Sequence, residues 1–281
     1  ALGYRDDAED PSVYVKFDVA KSLYAEPGFL EKLRKGYGDR KANFAKWLIE
    51  LVGDRPVYLL AWTTTPWTLP GNTALAVSPD AQYSVMQGED DYLIMASALV
   101  SIVGLEGYSE VATVKGSDLE ELRYEPLFNP FHFGVPVRRM DTWEERGEWE
   151  EAREPSSDIR WKPGGFLNYP VILGDFVSMD DGTGIVHIAP AFGDVDFEAG
   201  KNKLEFVRDY VDLQGVIRGT YPFAGKFVKD ADPLILDDLK SRGLLYRSEI
   251  IRHTYPFCWR CETPLLYYAK PSWYILSLIH I

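Results

Sequence analysis

Three consecutive threonines, Thr63, Thr64 and Thr65, followed by Thr68 and Asn72, crowd hydroxyl and amide groups into one short stretch beside the indoles of Trp62 and Trp67. A second polar set lies further along: His187 inside the apolar run Ile185 to Ala189, and Asp196 nine residues after it. Three chemistries could use such a set. A threonine nucleophile activated by histidine is one, although such threonines often act from a chain terminus, which these do not occupy. A metal centre is the second, and one His with one Asp is a poor ligand set for it. The third is a hydrolase that works through water: hydroxyls and backbone amides place the water and the developing oxyanion, while the carboxylate holds a cationic group of the substrate. Each residue taken singly also has a purely structural use. A strand histidine is commonly a satisfied core residue, and an aspartate in the first turn of a helix complements the helix dipole.

The elements that must position these groups can be read from local pattern. Val57 to Trp62 is apolar and β-prone, a buried strand that delivers the threonines to a rim, and Pro66 and Pro70 then stop further pairing. Asp180 to Gly184 is a turn, Ile185 to Ala189 a strand, and Asp194 an N-cap for a helix to about Lys203 with Asp196 in its first turn. A single turn then brings His187 and Asp196 to one rim.

Short β elements dominate the remainder: Ser12 to Phe17, Ala74 to Val77, Tyr83 to Met86, Tyr92 to Met95, Tyr108 to Val114, Tyr169 to Leu173, Phe176 to Met179 and Leu244 to Ile251. Helices are expected as two short pieces between Pro27 and Leu51 with a break near Gly36 and Gly38, a brief one from Ser97 to Val103, and one opened by Asp232-Pro233 and closed by Gly243. Between Lys32 and Lys46 six basic residues (Lys32, Arg34, Lys35, Arg40, Lys41, Lys46) stand against Asp39, either a solvated helical face or a phosphate-facing patch. The acidic segment 141 to 158 reads as a solvated insertion.

With 281 residues and 46 % hydrophobic content the chain can bury a sizeable core, as one large or two ordinary domains. The formal net charge of −13 argues against a general nucleic-acid binder, while leaving room for a local basic patch. No run approaches a membrane span and the first residues lack signal-peptide character, so a soluble, cytoplasmic setting without membrane contact is expected. The two cysteines form Cys258-Trp259-Arg260-Cys261 between Tyr255-Pro256 and Thr263-Pro264, a knuckle. Structural zinc takes four ligands, so the pair is half of a zinc site completed elsewhere, an unmetallated pair, or a redox pair.

WTTTPWTLPGN (62 to 72) together with GTGIVHIAPAFGDVD (182 to 196) resembles the editing domain of isoleucyl-tRNA synthetases, the insertion called connective peptide 1. The likeness extends through ALGYRDDAEDPSVYVKF at the start and YPFCWRCETPLLYYAKPSWYI near the end, sparing insertions near 20 to 55 and 141 to 162. The related valyl and leucyl enzymes carry arginine before the proline where this chain has Thr65, which points to the isoleucyl branch. The resemblance implies a mainly β, barrel-like editing domain with helical decorations over 1 to 250, a return stalk with the cysteine knuckle over 251 to 275, and a non-native tail over 276 to 281. It also implies hydrolysis of valine mischarged onto the isoleucine tRNA, at the ester to the terminal adenosine. In that reading Asp196 holds the α-ammonium group and His187 shapes the pocket that excludes isoleucine. Thr63, Thr64, Thr65, Thr68 and Asn72 bind the adenosine and place water, and Trp62 joins the substrate-binding residues. No cofactor is implied for editing. Zinc on Cys258 and Cys261 needs a second cysteine pair outside this chain. Neither a His-x-Gly-His signature nor a Lys-Met-Ser-Lys loop is present, so isoleucine activation and ATP binding belong to the parent enzyme. The implied partners are the isoleucine tRNA and the remainder of the synthetase. A different class of reading is a non-catalytic insertion that contacts tRNA through Lys32 to Lys46.

Overall fold

The structure is a computed structural model that describes residues 2–26, 28–140, 149–151, 161–162, 166–201 and 203–270. Most of the acidic segment 141–158, and the tail 276–281, lie outside the described residues. The principal strands are β1 (Leu2–Asp18), β2 (Val57–Thr63), β3 (Ala74–Val77), β4 (Gln82–Gln87), β5 (Tyr92–Ala96), β6 (Ser109–Lys115), β7 (Arg123–Tyr124), β8 (Tyr169–Leu173), β9 (Ile185–Ile188) and β10 (Leu245–Cys258). The principal helices are α1 (Phe29–Tyr37), α2 (Asp39–Val52), α3 (Asp194–Gly200) and α4 (Val228–Ser241).

Hydrogen bonding closes part of this sheet into a ring. β1 runs antiparallel to β2, from Val13 opposite Thr63 to Asp18 opposite Tyr58. β2 meets β9 in parallel at Trp62 and Val186, β9 is antiparallel to β3, β3 parallel to β8, and β8 antiparallel to β7. β7 then returns to the end of β1 through the Val19–Tyr124 bridge, where Ala20 N donates to Arg123 O at 2.9 Å and Glu125 N to Asp18 O at 2.8 Å. A barrel results, and closure removes the unpaired edges that an open sheet would expose. The first half of β2 pairs instead with β5, and β4 and β6 continue from there as an open extension. β2 therefore leaves one neighbour for another along the same edge, and its last residues emerge at the rim between them.

Because β3 is covered on both faces, its sequence Ala74-Leu75-Ala76-Val77 lacks the alternation of a half-exposed strand. Leu75 and Val77 join the main core with Val13, Val15, Phe17, Leu59 and Tyr124, while Ala74 and Ala76 pack with Ile188 and Leu204 on the other side. Phe17 meets Tyr124 edge-on at 5.4 Å, close to the ring closure. α1 and α2 break at Gly38, whose φ of 91° favours glycine. Five of the six basic residues between Lys32 and Lys46 are held by acids: Arg34 by Asp39, Lys35 by Glu31, Arg40 by Asp118, Lys41 by Glu120 and Lys46 by Glu50. That face is a self-neutralised helical surface, so the phosphate-patch reading loses its footing.

Several expected elements differ. Phe176 to Met179 is no strand: Val177 N turns back to Gly174 O at 3.3 Å, and the ring of Phe176 lies over Gly174, leaving the segment as a loop. α3 starts one residue earlier than expected, with Gly193 rather than Asp194 as its N-cap, and ends at Gly200 rather than near Lys203. α4 begins at Val228, so Asp232 and Pro233 lie inside it. β10 runs past the expected strand end at Ile251 to Cys258 and pairs with β1 from Val15–Leu245 out to Leu2–Cys258, with register shifts between Arg5 and Ala8 and between Tyr14 and Val15.

Phe17 is fully buried against the closing strand. Phe17→Ala is expected to lower unfolding free energy by about 3–5 kcal/mol, seen in urea as a lower midpoint with an unchanged slope.

Candidate active site

The threonine stretch leaves β2 and folds at once into a short 3-10 turn, Pro66–Gly71. Proline at its first position has no amide to lose there. Thr68 N donates to Thr65 O at 3.0 Å and Asn72 N to Leu69 O at 3.1 Å, while Thr65 N is received by Thr63 Oγ1 at 3.2 Å. An aromatic wedge backs the turn: Trp67 meets Phe192 at 5.3 Å, Phe192 meets Tyr210 at 5.2 Å, and Tyr210 Oη donates to Trp67 O at 2.8 Å. The loop is thus rigid although it lacks regular pairing.

The register of β9 against β3 sets His187 opposite Leu75 and turns its ring toward this loop. His187 Nε2 lies 2.7 Å from Thr68 Oγ1, and Nδ1 lies 3.1 Å from Asn72 Nδ2. Thr68 Oγ1 donates to Thr65 O at 2.7 Å and contacts Thr65 Oγ1 at 3.2 Å, which in turn lies 3.3 Å from Thr63 Oγ1. Burial lowers the imidazole from its ordinary range to about 3, so it is neutral at physiological pH. With both nitrogens engaged and no charge, His187 is not poised to activate a nucleophile.

Asp196 occupies the first turn of α3, and its Oδ2 accepts the amide of Ala189 at 2.9 Å, just beyond the end of β9. One strand therefore carries the imidazole and anchors the carboxylate. Desolvation raises Asp196 to about 6, opposed by the Ala189 amide. Its seat requires glycine at 193, where a Cβ would fall 2.9 Å from Asp196 Cγ.

Trp62 donates from Nε1 to Ser12 Oγ at 2.6 Å, and Gly182, at φ 68°, lies so close beneath the indole that a Cβ would approach its Cε3 to 2.8 Å. Thr64 is partly exposed beside this group, outside the Thr63–Thr65–Thr68 chain of contacts. Thr63, Thr65, Thr68, Asn72 and His187 thus form one network, with Asp196 and Trp62 held separately at its margins. Tyr124 and Ser12 belong to the same arrangement but carry no local sequence signal, since Ser12 reaches Trp62 from the neighbouring strand β1 and Tyr124 reaches Asn72 from β7. Tyr124 Oη donates to Asn72 Oδ1 at 2.6 Å.

Cys258 and Cys261 sit apart from this site, at the tip of the β1–β10 ribbon. The knuckle is a tight turn: Cys258 N donates to Thr263 O and Glu262 N to Cys258 O, both at 2.9 Å, with Glu262 at φ 56°. A hydrogen bond from Thr263 Oγ1, at 3.2 Å, heads the causes that lower the Cys261 thiol to about 7. Thiolate character suits a zinc ligand, but among the described residues no cluster of three or more His, Cys, Asp or Glu side chains accompanies the pair.

No family model matches the chain. In fold, it is similar to the crystal structure of GlLeuRS-CP1, with a TM-score of 0.55 at 18 % identity, over 85 % of this chain and 98 % of that one. The barrel and its decorations thus share the fold of that CP1 domain. In sequence it is 51 % identical over 276 residues to the isoleucine-tRNA ligase of Dehalococcoides mccartyi, covering 98 % of this chain and 24 % of that protein. It is 38 % identical over 279 residues to the enzyme of Thermus thermophilus, covering 99 % and 21 %. The chain belongs to the isoleucine-tRNA ligase family and spans about a quarter of the length of the curated relatives it matches. Among the described residues no helix is long and apolar enough to cross a membrane.

Two outcomes follow from the electrostatics. Asp196 binds its proton more tightly folded, near 6, than at its ordinary 3.8, so it favours folding below about 4 and that contribution is lost as pH rises through 6. Asp196→Asn should therefore melt above the parent at pH 8, with the gap closing toward pH 4 in scanning fluorimetry. Thr263→Val should slow iodoacetamide alkylation of Cys261 at pH 7, followed by peptide mass spectrometry, by raising the thiol toward its usual range.

Proposed function

We propose that the chain is the hydrolytic editing module of an isoleucine-tRNA ligase, releasing valine from mischarged tRNA at the ester to the terminal adenosine. The observation that carries this reading is a neutral, fully engaged His187 beside a row of hydroxyls, with a carboxylate at the end of the same strand. That set lacks an activated nucleophile and suits attack by a positioned water. Thr63, Thr64 and Thr65 place the water and the adenosine hydroxyls, with Thr68 and Asn72 supporting them. Asp196 receives the α-ammonium group, a strong charge-assisted contact in a partly desolvated seat. Trp62 lines the substrate, and His187 supplies a wall. A second sieve has a physical rationale, since one methylene in a binding pocket is worth only roughly 1–3 kcal/mol.

The acceptor is the isoleucine tRNA, and the module works in the cytoplasm as part of the whole synthetase, which supplies ATP binding and isoleucine activation. Editing itself uses no cofactor. Cys258 and Cys261 would hold zinc only with a second cysteine pair from elsewhere in the parent enzyme. The reading as an inert tRNA contact is disfavoured by the ion pairs that occupy Arg34, Lys35, Arg40, Lys41 and Lys46.

The test is release of labelled valine from valyl-tRNA, with isoleucyl-tRNA as the control. The parent chain is expected to deacylate the former selectively, and Asp196→Ala to lose roughly 30–100-fold in kcat/KM, from loss of one charge-assisted contact. The rate should fall as pH drops through about 6, where Asp196 takes up a proton. A parent that releases no valine above buffer would count against the proposal.

A further inference from the structure

Asn72 is 3 % exposed, and its whole amide is spent inside the protein. Oδ1 accepts the Tyr124 phenol at 2.6 Å, and burial keeps that phenol protonated. Nδ2 donates to Ala74 O at 2.8 Å and faces His187 Nδ1 at 3.1 Å, with Ile188 O at 3.4 Å. Turning the amide over would set its oxygen against the carbonyls of Ala74 and Ile188, so its orientation is fixed. An NH₂ group facing Nδ1 requires a lone pair there, and a neutral imidazole then carries its proton on Nε2.

We propose that Asn72 is a positioning residue, which fixes the proton of His187 on Nε2 and thereby sets the direction of the Thr68 and Thr65 hydroxyls, and that it is not itself a substrate ligand. Nε2–H donates to Thr68 Oγ1, and Thr68 must then direct its own proton to Thr65 O. The remaining lone pair of Thr68 Oγ1 receives Thr65 Oγ1–H, which leaves the Thr65 oxygen as an acceptor. A water or ribose hydroxyl meeting Thr65 must accordingly arrive as a donor. The opposite tautomer would draw the Thr68 proton to Nε2 and leave Thr65 O with the Thr68 amide but without the hydroxyl. The consequence for turnover rests on the editing reading above; the tautomer does not.

The experiment is a long-range proton–nitrogen spectrum of the ¹⁵N-labelled 281-residue chain at pH 7 to 8, with His187 assigned by difference from variants at the other histidines. A single Nε2–H tautomer is expected; an Nδ1–H or mixed population overturns the proposal. Asn72→Asp offers Nδ1 an acceptor, so the proton should move to Nδ1, and kcat for valine release should fall about tenfold or more with KM within about twofold. Reversal of the tautomer with kcat unchanged, or a raised KM alone, also overturns it. Should Asn72→Asp fail to fold, the parent spectrum decides. Should the folded parent release no valine, the editing reading fails, and the spectrum still decides the tautomer.

Discussion

A histidine buried in a strand must have both ring nitrogens paired, because an unpaired polar group away from water costs about 1–3 kcal/mol. Around His187 that requirement reaches in two directions. Inward, Nδ1 needs Asn72, and Asn72 needs Tyr124 on the strand that closes the barrel. Outward, Nε2 needs Thr68, which sits on the turn bounded by Pro66 and Gly71 and holds the carbonyl of Thr65. The geometry of the rim is therefore a consequence of satisfying one ring in the wall.

Desolvation acts on two groups of this site in opposite chemical senses. It removes positive charge from His187 by lowering its proton affinity, and it raises Asp196, so that the carboxylate gains from a cationic partner. A neutral imidazole adds no positive charge that would compete with the cation proposed for Asp196. The same physics explains why Asp196 is anchored by a backbone amide rather than by lysine or arginine: the Ala189 N–H orients the carboxylate and leaves its charge available.

Much of this was legible from local pattern. Val57 to Trp62, Ile185 to Ala189 and the meander between them announce themselves by apolar runs bounded by turns, and the clustering of Thr63 to Asn72 beside two indoles marks the candidate site. Pairings between distant segments were not legible. Tyr124 and Ser12 look like ordinary strand residues, because their significance lies in partners 52 and 50 positions away. Phe176 to Met179 has strand composition, yet no neighbouring edge receives it and a turn at Gly174 intervenes. Asp232-Pro233 imitates a helix start, but Val228 to Ala231 already form helix, and proline near the start of α4 removes only one amide from the ladder. Ribbon length was likewise hidden, since the charged opening Asp6 to Asp10 gives no strand signal until Arg252 and His253 stand opposite Glu9 and Ala8.

The ring closes through a short seam where β7 contributes only Arg123 and Tyr124, and there a single bridge joins Val19 to Tyr124. A seam so short has few hydrogen bonds to break, which makes it a natural place for the barrel to breathe. Tyr124 spans that seam with its backbone while its phenol steadies Asn72 from inside. Each opening of the clasp therefore also slackens the proton arrangement at the rim, so the lifetime of an ordered site is tied to the lifetime of one strand crossing.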